Sequence, residues 1–194
     1  MVSGMKIKQS LRVASVFALC ATALAWRGQD APAQEDASSQ PPVTVIAVRH
    51  AEKGADDPRD PSLSEEGTQR AAALAKLLSH AGVTHLFSTA YRRTQATVAP
   101  LATQLELEVE EYNPRDLAGF SKELKALPPG SVAVVSGHSN TTPGLVVALG
   151  GAPEGVKEGR GGPVLGEDEY DRLFLVTSPK GEGVVSLVEL RYGE

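Results

Sequence analysis

The chain has 194 residues, 41% of them hydrophobic and 22% charged, with a formal net charge of −5. That balance suits one ordinary globular domain and excludes wholesale nucleic-acid binding through a basic surface. Any anion site must therefore be built locally, from a few residues brought together.

Residues 1–25 read as a segment apart from the rest. Lys6, Lys8 and Arg12 make a basic start, Val13–Ala25 is an apolar run, and Ala23-Leu24-Ala25 closes it. This is the layout of a secretory signal peptide, and the run is short for a membrane-spanning helix. Export to the periplasm or beyond the cell is expected, with no membrane association after cleavage. Cys20, the single cysteine, lies inside this segment, so the mature chain is expected to have neither disulfide nor thiol chemistry. Bulky Leu19 before it argues against lipoprotein processing. Residues 26–42, WRGQDAPAQEDASSQPP, carry too little apolar surface to fold and read as a flexible linker. Residues 43–194 form the expected domain.

Val43–Val48 is an uninterrupted β-branched and apolar run, which predicts a strand buried on both faces and hence parallel. It runs directly into Arg49 and His50. A turn-rich loop, residues 54–61, precedes Ser64, a predicted helix N-cap with Glu65 and Glu66 in the first turn. Ala71, Leu74, Ala75 and Leu78 then recur at helical spacing. Thr84–Phe87 reads as a short strand, and Ser88–Thr94 opens a second helix in which Pro100 predicts a kink or split. Leu105–Val109 alternates apolar with acidic residues, the pattern of an edge strand.

A short helix is predicted from Asp116 to Ala126, then a strand over Ser131–Ser136 leading into Gly137-His138-Ser139-Asn140. Thr141-Thr142-Pro143 starts another helix, with proline early in its first turn. Residues 150–166 read as a Gly/Pro-rich loop. Arg172–Thr177 and Val184–Leu190, joined through Pro179-Lys180-Gly181, predict an antiparallel pair at the sheet edge. Alternating strands and helices imply an α/β fold: a three-layer α/β/α sandwich on a mostly parallel sheet with an antiparallel edge.

The ends of these strands carry the chemistry. His50, Arg93 and His138 are spaced by 43 and 45 residues, and each gap contains a helix able to return the chain to the same sheet edge. Open α/β sheets bind ligands at that edge. Arg49, Arg93, His50 and His138 together suit a compact dianion, because guanidinium forks match phosphate oxygens. A neutral imidazole among them can attack phosphorus, in a reaction that depends mainly on positioning and charge stabilisation. No cofactor is expected. A metal is not expected either, since no His pair has H-x-x-x-H spacing.

VRHAEK, STAYRRTQAT and VVSGHSN resemble, in order, the three signature segments of the histidine phosphatase superfamily, in the branch related to phosphoglycerate mutase. LSEEGTQRA is similar to that family's first helix. The resemblance covers most of residues 43–150. It implies a phosphoglycerate mutase-like fold and hydrolysis of a phosphomonoester, on a small molecule or a phosphoprotein, without metal. It makes His50 the nucleophile that becomes phosphohistidine, and Arg49, Arg93 and His138 the phosphate-holding groups, with Ser139 beside them in substrate binding. Arg93 fits the motif better than Arg92, because Thr94 follows it. Ala51 departs from the glycine that many members carry. The general acid is open: Asp116, at a predicted helix start, is favoured over Glu110, Glu111 and Glu52, and a compact member with no acid in the usual place is a further alternative.

Three rival readings stand beside this one. A serine hydrolase is suggested by Gly137-His138-Ser139-Asn140-Thr141, which approaches a nucleophile elbow. It fails on chain order, since every histidine precedes Ser139. A pseudo-phosphatase that only binds a phospho-ligand, and a phosphomutase that returns the phosphoryl group, use the same residues. His80 and His85 read as structural or surface residues.

Overall fold

The computed structural model describes residues 40–179 and 185–193. The predicted signal peptide, nearly all of the linker, and Lys180-Gly181 of the last turn lie outside the described residues. Among the described residues no helix is long and apolar enough to cross a membrane.

Six strands form one sheet: β1 (Val43–Arg49), β2 (His85–Ser88), β3 (Val109–Glu111), β4 (Val132–Gly137), β7 (Arg172–Ser178) and β8 (Ser186–Arg191), in the order β3-β2-β4-β1-β7-β8. β1, β2, β3 and β4 run parallel. β7 is antiparallel to both β1 and β8, giving the expected antiparallel edge. The helices are α1 (Glu65–Leu78), α2 (Arg92–Leu105), α3 (Leu117–Ala126) and α4 (Thr141–Leu149).

The alternation of side chains along each strand fills two cores. On one face Val45, Ala47, Val135 and Phe174 meet Phe120 and Leu124 of α3 and Leu145, Val146 and Leu149 of α4. On the other, Ile46, Val48, Leu86 and Val134 meet Leu74 and Leu78 of α1 and Val98 and Leu101 of α2. β1 contributes to both, which is why its sequence lacks polar alternation. The three-layer sandwich follows directly.

Ser64 caps α1, its hydroxyl accepting from Gly67 N at 3.1 Å. Gly67 must lack a side chain, because a Cβ there would lie 2.1 Å from the Glu52 carbonyl oxygen. That close approach seats α1 on the loop leaving β1.

Three expectations are corrected. α2 runs unbroken through Pro100 to Leu105, so the proline does not split it. The predicted edge strand from Leu105 begins later, at Val109. Glu106 adopts a left-handed conformation (φ 55°), its N–H donating to Ala102 O, and this ends the helix. Leu105, Leu107 and Val109 all pack against the core, so the alternation was real although the backbone turns within it. Residues 150–166 also contain a hairpin, β5 (Lys157–Gly159) paired with β6 (Gly162–Val164).

Candidate active site

The parallel register brings the candidate residues together. Arg49 pairs with Gly137 and Ser88 with Ser136, so His50, Thr89 and His138 each lie one step beyond a paired row. His50 N donates to Gly137 O at 2.9 Å, extending the ladder by one rung. The His50 and His138 rings consequently meet edge to face, their centroids 5.5 Å apart. Arg93 enters from the first turn of α2.

Arg49, His50, Arg93 and His138 line a cavity of about 430 Å³, together with Lys53, Tyr91, Arg115, Ser139, Asn140 and Thr141. Four cations border it: Arg49, Lys53, Arg93 and Arg115. Among the described residues no carboxylate does.

His50 is almost fully buried, at 5% exposure. Its Nδ1 lies 2.8 Å from the Ala51 carbonyl oxygen, which can only accept, so Nδ1 carries the proton and donates. Nε2 is left with its lone pair free. Burial lowers the pKa of His50 to about 3, with the Ala51 hydrogen bond opposing and Arg49, Arg93 and His138 reinforcing it. The ring is neutral at physiological pH. Ala51 N in turn donates to Thr97 Oγ1 at 2.9 Å, and that hydroxyl donates to Arg93 O at 2.7 Å. Thr97 thereby ties the backbone beside His50 to the first turn of α2.

His138 is held from two directions. Its backbone N donates to Thr141 Oγ1 at 2.8 Å, and its Nε2 lies 3.0 Å from Thr89 Oγ1, itself 2.8 Å from Thr94 Oγ1. Burial, then Arg93 and Arg49, lower its pKa to about 4. Gly137 has no room for a side chain, since a Cβ would lie 2.7 Å from Thr141 Oγ1 and 2.9 Å from both Thr142 Oγ1 and Tyr112 OH.

The two arginines are gripped differently. Arg49 Nη1 donates to the carbonyls of Gly166 and Glu167 at 2.8 Å and approaches that of Glu169 at 3.3 Å. Its guanidinium lies over the Tyr170 ring, and its Nε is buried without a partner. Arg93 lies over the Tyr91 ring at 4.5 Å. Its Nη1 is 3.6 Å from Asp60 Oδ1, beyond hydrogen-bond range, and has no hydrogen-bond partner.

Of the four carboxylates considered for the general acid, none lines the cavity. Asp116 Oδ1 accepts from Gly119 N at 2.8 Å as the N-cap of α3, and Asp116 does not line the cavity. Glu52 is bound by Arg70, with Nε donating to its two oxygens at 2.8 and 3.0 Å. Glu111 accepts from Gln95 Nε2 at 3.2 Å, and Glu110 is exposed on β3. Three of these carboxylates are thus engaged in capping, pairing or a side-chain hydrogen bond, and Glu110 lies outside the cavity lining.

Ser139 lines the cavity, while its carbonyl accepts from Leu165 N at 2.8 Å. Tyr170, Tyr91, Thr89, Lys53 and Arg115 were not singled out by sequence reasoning. Thr89 and Tyr91 sit inside STAYRRTQAT, where their position carried a usable signal. Tyr170 and the carbonyls of residues 166–169 carried none.

The sequence model of the histidine phosphatase superfamily (branch 1) matches residues 45–114. No curated protein matches the chain. Among solved structures, a mycobacterial glucosyl-3-phosphoglycerate phosphatase is 15% identical and superposes with a TM-score of 0.53, covering 69% of this chain and 89% of its own. A phosphoglycerate mutase from Bacillus anthracis str. Sterne is 13% identical, TM-score 0.53, covering 80% and 95%. A phosphoserine phosphatase from Entamoeba histolytica, solved with 3-phosphoglyceric acid, is 12% identical, TM-score 0.54, covering 78% and 97%. At these identities the likeness is one of fold, and the fold is phosphoglycerate mutase-like.

Proposed function

We propose that the chain is a phosphatase of the histidine phosphatase superfamily, hydrolysing a phosphomonoester through a phosphohistidine on His50. The observation that carries this reading is the free Nε2 of His50. A buried, neutral imidazole has its other nitrogen committed to Ala51 O, beside two arginines and a second histidine. The family match over residues 45–114, which includes His50 and Arg93, supports it.

In this mechanism a dianionic phosphoryl group enters the cavity and is held by Arg49, Arg93, His138 and Ser139. His50 Nε2 attacks phosphorus in line, the N–P bond forms as the P–O bond to the leaving group breaks, and Nδ1 keeps its proton on Ala51 O. Arg49 and Arg93 counter charge developing on the equatorial oxygens. Water then attacks the phosphohistidine, releasing inorganic phosphate and restoring the neutral ring. With no carboxylate lining the cavity among the described residues, departure proceeds without a carboxylic acid donor. The reading therefore favours phosphomonoesters with leaving groups of low basicity, such as aryl phosphates.

Trapping tests the core of it. Brief exposure to a ³²P-labelled phosphoester and an acid-free quench should leave label on His50, labile to acid and stable to base. His50→Ala should lose both label and turnover while remaining folded by circular dichroism. Label that persists in His50→Ala, or that is acid-stable as on Ser139, overturns the assignment.

A further inference from the structure

The arginines of this domain divide into two groups. Arg70, Arg92, Arg93, Arg172 and Arg191 each lie within 4 Å of a carboxylate. Arg49, Arg59, Arg115 and Arg160 make no such pair among the described residues, although the chain as a whole is acidic. Arg49 lines the phosphate-sized cavity and is held by backbone carbonyls, and Arg59 borders neither that cavity nor its neighbour, whereas Arg115 and Arg160 lie at one place. A second cavity, of about 420 Å³, adjoins the phosphate-sized one and shares Pro114, Arg115, Asn140 and Thr141 with it. Arg160, from the turn between β5 and β6, borders its far side, and Leu117, Gly144 and Val164 line the stretch between. Among the described residues this second cavity has no acidic lining residue either.

We propose that this groove is a subsite for a second anionic group of the substrate, with Arg115 nearer the phosphoryl site and Arg160 farther along. The proposal rests on the phosphatase reading and narrows its substrate class. The substrate is a phosphoester whose leaving group, of low basicity, carries a further carboxylate or phosphate on an apolar spacer. The physical basis is focusing: unneutralised cations around a concave surface set up a local positive potential that a solvated, paired arginine does not. Leu117 and Val164 are partly buried and suit an aliphatic spacer, while the guanidiniums suit its charged end through forked hydrogen bonds. The hairpin β5–β6, absent from the sequence expectations, is what supplies Arg160.

Non-hydrolysable phosphonates test the groove independently of turnover. Calorimetric titration of the full chain would compare 3-phosphonopropionate and 6-phosphonohexanoate with alkylphosphonates of matching length. The carboxylated ligands should bind three- to tenfold more tightly at low salt, and the advantage should shrink as sodium chloride screens it. In Arg115→Gln and Arg160→Gln the ratio should fall toward one, with Arg160→Gln acting mainly on the longer ligand. Arg191→Gln, which removes a cation outside both cavities, should keep the wild-type ratio. Equal affinity for carboxylated and plain phosphonates, or a ratio that survives the Arg115→Gln/Arg160→Gln double substitution, overturns the subsite alone. Failure of every phosphonate to bind overturns the phosphoryl site and the groove together.

Discussion

The guanidinium carbon of Arg49 lies 4.0 Å from the ring centroid of Tyr170, a residue 121 positions later in the chain. The same ring is 5.9 Å from that of His50. Tyr170 thus braces the arginine beside His50, and the carbonyls of Gly166 and Glu167 fix its Nη1. Burial lowers the pKa of this guanidinium, with Tyr170 and Glu169 opposing, and it remains charged.

Removing the brace should loosen Arg49 without removing it. A cation–π contact contributes on the order of 0.5–2 kcal/mol according to its exposure. Tyr170→Leu is therefore expected to weaken inhibition by inorganic phosphate about three- to tenfold, with a smaller loss in stability. Competitive inhibition constants and urea unfolding of the two proteins would separate these effects. An unchanged phosphate affinity would show that the carbonyl grip alone positions Arg49.

Asp116 is expected to matter to the fold more than to the chemistry. Loss of an N-cap carboxylate costs about 0.5–2 kcal/mol, so Asp116→Ala should lower the unfolding free energy by about 1 kcal/mol. Asp116→Asn, which preserves the cap, should recover most of it. Neither should change how the rate depends on leaving-group basicity across a series of aryl phosphates. A selective loss with poor leaving groups in both variants would return Asp116 to the role of proton donor.

Acid should destabilise the protein through the imidazoles of His50 and His138. The folded pKa values are about 3 for His50 and about 4 for His138, against about 6.5 in the unfolded chain. Between pH 6.5 and these values the unfolded state binds more protons, so stability falls as pH falls, by at most about 1.4 kcal/mol per pH unit for each ring. The contribution is fully present above pH 6.5. His50→Asn should therefore show a shallower decline from pH 6.5 to 4 than the wild type in chemical denaturation. Parallel curves would mean that His50 is not held neutral by the fold.

Gly137→Ala should be among the most damaging single-methyl changes in the domain. The added carbon would crowd Thr141, Thr142 and the buried Tyr112 hydroxyl at once. Overpacking of this kind costs about 1–3 kcal/mol. Because Thr141 Oγ1 accepts from His138 N, the strain should also displace His138. A fall of several degrees in Tm together with reduced phosphate binding is expected. Normal stability with normal binding would show that the turn can relax.

Much of this was legible in the residues themselves. The unbroken apolar run of β1 required burial on both faces, the Ser64 cap and the stripe from Ala71 to Leu78 required α1, and alternation of strand and helix required a layered sheet. Arg49, His50, Arg93 and His138 could be named because each follows a strand or opens a helix, and parallel strands return to one edge. These are consequences of local periodicity, which is encoded over a few residues. The tertiary structure decided what depends on distant partners. It gave Asp116 and Glu52 to a helix cap and an ion pair, turned the backbone at Glu106, and folded residues 157–164 into the hairpin that carries Arg160. It also laid Tyr170 against Arg49. Carbonyls and rings that arrive from more than a hundred residues away leave no periodic trace, so only packing could assign them.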